Sequence, residues 1–165
     1  MKSLRGIAGV AAIVAVIAGC GSPDVTQPVG PTVPLVRLRA DPYSFSSYSG
    51  FEAPTRLVVR DAATWAAVWQ QIYDRETPVP PLPAIDFSRE MIVVAALGSR
   101  GTGGYSILLE GATETADGTA VTVKSTSPGS TCLVTEALTQ PIDVARLPLR
   151  SGSVTFIEQT HVAKC

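Results

Sequence analysis

The stretch Met91–Leu97 (MIVVAAL) has no polar side chain at any position. A strand with one wet face alternates apolar and polar residues. A short unbroken apolar run bounded by turn residues reads instead as a central strand buried on both faces. The rest of the fold must therefore cover it twice. Before it, Val36, Leu38 and Ala40 alternate with Arg37 and Arg39, which predicts a first strand near 35–40. Arg56–Arg60 (RLVVR) reads as another short strand. Asp61 is placed to cap a helix over about 62–74, on which Trp65, Val68, Trp69 and Ile72 share one face with Tyr73 beside them. A face of this kind packs into a core.

Residues 77–84 (TPVPPLPA) form a stiff proline-rich connector. Strands are expected after it at Tyr105–Leu109, Ala120–Lys124, Ile142–Leu147 and Val154–Glu158. Turns at Ala116-Asp117-Gly118, 127–131 and Ser151-Gly152 separate them. Strands, one helix, then more strands predict an α+β fold, mainly antiparallel β as a sheet or sandwich, with one packed amphipathic helix near 62–74.

The amino terminus carries an address. Lys2 and Arg5 precede an uncharged run from Ile7 to Ala18, shorter than the roughly 20 residues a bilayer span needs. Its length suits a signal-peptide core. Ile17-Ala18-Gly19-Cys20 follows and resembles the lipobox of bacterial lipoproteins. That resemblance implies diacylglycerol on Cys20 and cleavage before it. The expected organisation is a signal peptide at 1–19, a proline-rich tether at 20–34 and a globular domain at 35–165. The expected location is the cell envelope, with the chain lipid-anchored at the periplasmic face of a membrane or at the cell surface. The formal net charge is −1 before Lys2 and Arg5 are lost with the leader, so the balance is mildly acidic. No basic patch points to nucleic acid.

With Cys20 acylated, Cys132 and Cys165 remain as a pair in an oxidising compartment. One disulfide is expected, and two free thiols are the alternative. The single histidine, His161, and so few cysteines are too few for a zinc site, and no cofactor is expected.

A set of pieces runs from Asp86 to Pro141: Asp86-Phe87-Ser88-Arg89-Glu90-Met91, Gly98-Ser99-Arg100-Gly101-Thr102-Gly103-Gly104-Tyr105-Ser106-Ile107, Ser127-Pro128-Gly129 and Leu138-Thr139-Gln140-Pro141. Together with the Trp65/Trp69 helix, these look like the PrcB C-terminal domain family over most of 55–158. The family is named for a subunit that helps assemble or stabilise a surface protease complex. The resemblance implies a non-enzymatic accessory module that binds an exported protease or another envelope protein.

Read from residues alone, Thr102, Gly103, Gly104 and Tyr105 leave two possibilities. They form a tight hairpin whose turn needs its glycines, or an exposed loop that touches a partner. The segment leads into a strand, with no helix N-terminus or Gly-Lys-Ser/Thr end for phosphate. It is also loosely similar to the Thr-Thr-Gly-Tyr/Phe loop of chagasin-like peptidase inhibitors, which makes inhibition an alternative function. A hydrolase is the third reading. No Gly-x-Ser-x-Gly elbow occurs, and Asp86, Glu90, Glu110, Glu136, Asp143 and Glu158 lie at no spacing that marks an acid/base pair. No catalytic residue is assigned.

Changing Cys20→Ala is expected to block lipid attachment and leave an uncleaved precursor, read by intact mass of the membrane fraction. Wild-type processing after Gly19 in that variant would overturn the lipoprotein reading.

Overall fold

The computed structural model describes residues 29–38 and 48–165. Cys20 and the expected signal peptide at 1–19 lie outside these residues. The elements in order are β1 (Thr32–Val33), β2 (Val36–Arg37), β3 (Thr55–Val59), α1 (Ala62–Ile72), β4 (Glu90–Ala96), β5 (Ser106–Thr115), β6 (Gly118–Pro128), β7 (Ile142–Pro148) and β8 (Ser153–Ala163). They form two four-stranded sheets, ordered β1-β5-β6-β8 and β2-β7-β4-β3. All neighbours pair antiparallel except β6 and β8, which run parallel. The parallel pair arises because β7 crosses to the other sheet, so the chain re-enters the first sheet in the direction of β6. The mainly antiparallel α+β expectation is borne out.

β4 is covered on both faces. Met91, Val93, Ala95 and Leu97 join Ile107, Leu109, Val121, Val123, Ala145 and Leu147 between the sheets. Ile92, Val94 and Ala96 face the other way, with Val59, Val144 and the helix residues Trp65, Val68, Trp69 and Ile72. The second sheet is thus the middle layer of three.

The helix starts where Asp61 accepts from the Thr64 N–H at 2.8 Å. That bond, with a second from the Thr64 hydroxyl, holds the Asp61 carboxyl below its usual range. The helix stops at Ile72, two residues before the expected end, with Tyr73 as its cap. Trp65 and Trp69 pack at a tilt, with ring centroids 5.2 Å apart and planes at 58°. Their indole N–H groups donate to the carbonyls of Pro83 (3.1 Å) and Pro80 (2.9 Å). The proline-rich connector is therefore strapped over the helix through its carbonyls, the only backbone hydrogen-bonding groups its prolines possess.

Several local expectations need correction. The tether expected to run to residue 34 ends earlier. Thr32 and Val33 pair with Thr113 and Ala112, and Val33 is buried. Of the strand expected over 35–40, Val36–Arg37 pair with β7 among the described residues, after the chain switches sheets at Pro34–Leu35, and residues 39 and 40 lie outside them. The turn expected at Ala116-Asp117-Gly118 is one residue shorter. Thr115 pairs with Gly118, so Ala116 and Asp117 make the turn, and Gly118 (φ +149°) lies so close to the Ser153 backbone that a Cβ would not fit. The turn expected at 127–131 begins later, since β6 pairs through Pro128 with Ala163.

Trp69→Ala is expected to cost about 3–5 kcal/mol through the cavity it leaves. Trp69→Phe keeps most of the packing, loses the bond to Pro80, and should cost nearer 1 kcal/mol. Chemical denaturation of the two variants separates packing from strapping.

Candidate functional site: the apical loops

One end of the sandwich collects the ends of β4, β6 and β8 and the starts of β3, β5 and β7, as the registers Thr55↔Ala96, Ala96↔Ile142, Ser106↔Thr126 and Pro128↔Ala163 require. Segments 98–105 and 129–141 cover this apex. Segment 98–105 carries the chain from one sheet to the other, so the expected hairpin is not there: β4 and β5 belong to different sheets. A crossover has no ladder partner across its own turn, and its backbone must be satisfied by neighbours.

The neighbour is segment 129–141. Arg100 and Thr139 exchange both backbone bonds, at 2.8 and 2.9 Å. The Thr139 hydroxyl donates to the Thr102 carbonyl at 2.9 Å, and the Gly103 N–H donates to the Thr135 carbonyl at 2.9 Å. Gln140 is buried and serves three groups. Its side-chain carbonyl accepts from the Ser49 N–H (3.2 Å), its backbone carbonyl accepts from the Ser49 hydroxyl (2.9 Å), and its amide donates to the Ser99 hydroxyl (3.0 Å). Asp86 opens β4 in a similar way. Its carboxylate accepts from the Ser88 hydroxyl and N–H, which hold it below its usual range, while its carbonyl accepts from the N–H groups of Arg89 and Glu90. The Asp86–Glu90 and Leu138–Pro141 motifs are thus fastenings of the fold.

Of the glycines in this segment, Gly103 faces inward, while Gly101 and Gly104 are exposed. Gly103 is buried against Thr135, and Tyr105 is half-buried against the inter-sheet core, with the Arg100 guanidinium 5.7 Å from its ring. Of Gly101, Gly103 and Gly104, only Gly104 has positive φ (+83°), and a Cβ there would lie 2.8 Å from Val134 Cγ1 and 3.0 Å from Pro128. Thr102–Tyr105 is a bench on which the next loop rests.

What projects is that next loop. Leu133 is 103% exposed, Leu138 45% and Val134 36%. Cys132 is bonded to Cys165, with Cα atoms 5.0 Å apart. Its N–H donates to the Gly129 carbonyl, and the Gly129 N–H donates to Ala163. The expected disulfide is present, and it fixes the base of this loop to the end of β8. Sequence reasoning passed over Leu133, Val134 and Leu138. The available signal was a pair of apolar residues directly after a cysteine, in a stretch otherwise made of turn residues.

The scattered carboxylates stand in separate contacts. Asp143 is buried, pairs with Arg37 at 3.1 Å, and accepts from the Leu109 N–H at 2.8 Å. Arg37 also donates to the Leu109 carbonyl, so the pair fastens the bulge between Leu109 and Gly111. Glu90 pairs with Arg146, Glu110 with Lys124, and Glu158 with Arg56. His161 and Glu136 are exposed.

Residues 91–148 match the family model described as PrcB C-terminal. The matched stretch runs from β4 to β7 and includes both apical segments, narrower than the 55–158 over which the resemblance was read. No match was found among curated proteins or among solved structures.

Reducing the Cys132–Cys165 bond, which closes 33 positions of chain, is expected to remove about 3–4 kcal/mol of stability. Intact mass after alkylation, with and without reductant, reads the bond itself. Two alkylated cysteines in the unreduced, denatured chain would contradict it.

Proposed function

With residues 91–148 carrying the PrcB C-terminal pattern, we propose that this chain is a non-enzymatic, lipid-anchored envelope protein whose apex binds an exported protease or another envelope partner. The observation that carries this reading is the apical loop. Leu133, Val134 and Leu138 are apolar and exposed, and they sit on backbone held by a disulfide and by the glycine bench. Interface anchors of this kind lose little conformational freedom on binding, because the fold has already ordered them.

The direction of chain entry supports it. β1 pairs antiparallel with β5, so Thr32 enters from the end opposite the apex. The Pro31 carbonyl accepts from the Glu114 N–H at 2.8 Å, which fixes the entry point. From a lipid on Cys20, the chain to Thr32 reaches at most about 40 Å. The apex then lies a further strand length from the bilayer, roughly 35 Å for an eleven-residue strand such as β8. The base of the domain faces the membrane and the loops face outward.

A photo-crosslinking residue placed at Leu133 or Leu138 in the full chain should give a discrete protein adduct in living cells, identified by mass spectrometry. The same residue at Ala116 or Ser151, at the base, should not. Adducts from the base and none from the apex would overturn the reading.

A further inference from the structure

We propose that Thr131–Thr135 is a substrate-like loop that occupies the cleft of an endopeptidase with an apolar primary pocket, with Leu133 as the side chain that enters the pocket. This rests on the reading that the apex binds an exported partner, and it names that partner's class.

Three observations on one short segment lead to it. First, Leu133 is 103% exposed. Fully exposed leucines are rarely retained for packing, and a single one at a loop crest has the convex shape that a concave pocket takes. Second, no internal hydrogen bond engages the backbone N–H or carbonyl of Leu133 or Val134 among the described residues. Those groups are free to pair with a cleft in the extended manner that peptidases use to hold substrate backbone. Third, the chain is held on both sides of the Leu133–Val134 bond. On one side Cys132 is bonded to Cys165. On the other, the Thr135 carbonyl accepts from Gly103 at 2.9 Å, Val134 lies against Gly104, and Thr139 is paired with Arg100.

The third observation separates a ligand from a substrate. Hydrolysis of Leu133–Val134 would consume one water, placing its oxygen in a new Leu133 carboxylate and its protons on the Val134 amine. In a loose loop the two ends would part. Here both stay fastened, and Cys132–Cys165 spans the cut, so the fragment ending at Leu133 and the fragment beginning at Val134 remain one molecule. The reverse condensation, which expels that water, is then intramolecular and strongly favoured by proximity. The loop binds as a substrate does and releases slowly.

The test uses the purified full chain with chymotrypsin and subtilisin, which accept apolar side chains, and trypsin, which does not, each assayed on a small chromogenic peptide. The expected result is competitive inhibition of the first two and none of trypsin. Leu133→Gly should weaken inhibition by at least about 30-fold, the scale of an interface hot spot. Leu133→Lys should transfer inhibition to trypsin, which a misfolded variant would not do. Long incubation should add the mass of one water, with two chains separating only after reduction. Rapid cleavage at Leu133 without inhibition, or inhibition indifferent to Leu133→Gly, overturns the proposal. So does Leu133-dependent self-association or vesicle binding without inhibition. If Leu133 crosslinks in cells to a partner that is not a peptidase, and no inhibition is seen, this proposal fails while the apical-binding reading stands.

Discussion

β4 is the strand on which both cores are built. Its odd residues, Met91, Val93 and Ala95, belong to the inter-sheet core, and its even residues, Ile92, Val94 and Ala96, to the helix layer. A polar side chain on either face would be stranded without water. β7 beside it behaves alike, with Ala145 and Leu147 inward and Val144 toward the helix. The helix, its two indoles and the proline-rich strap add no strand to the structure. They exist to cover a face that sheet pairing alone would leave wet. At the open edge of the sandwich, Arg56 of β3 forks onto Glu158 of β8 at 2.8 and 2.9 Å.

The apex follows from the same constraint. Because β4 lies in one sheet and β5 in the other, the chain must cross between layers where neither sheet supplies hydrogen bonds. Segment 129–141 makes up the deficit through Thr135, Thr139 and Gln140. The family-like motifs at 98–105 and 138–141 meet here and lock one another. Their contacts serve the fold. Between them lie the exposed Leu133 and Val134, with exposed Leu138 at the start of the second motif, on a loop that the locks and the disulfide keep in one place.

Much of this was legible from residue types alone. A continuous apolar run needs two covering layers, so MIVVAAL already implied a central strand. The Trp65, Val68, Trp69 and Ile72 spacing defined the helix and its buried face, and the pair of cysteines beyond Cys20 implied the Cys132–Cys165 bond. These features depend on periodicity and parity, which are local properties of the chain. The PrcB-like pieces pointed to the family for the same reason, since each is a short run fixed by turn and cap chemistry.

Tertiary structure alone decided which sheet each strand joined and which way each loop faced. From sequence, the Thr102–Tyr105 segment reads as a tight hairpin turn or as an exposed contact loop. Only the placement of β4 and β5 in different sheets, with Thr135 and Val134 pressed against Gly103 and Gly104, selects the bench. Asp143 reads as one of several scattered carboxylates until Arg37, 106 positions away in sequence, is found beside it. Leu133 reads as one more apolar residue until the fold leaves it uncovered. Whether a side chain is buried depends on what arrives from elsewhere in the chain, and no local pattern encodes that.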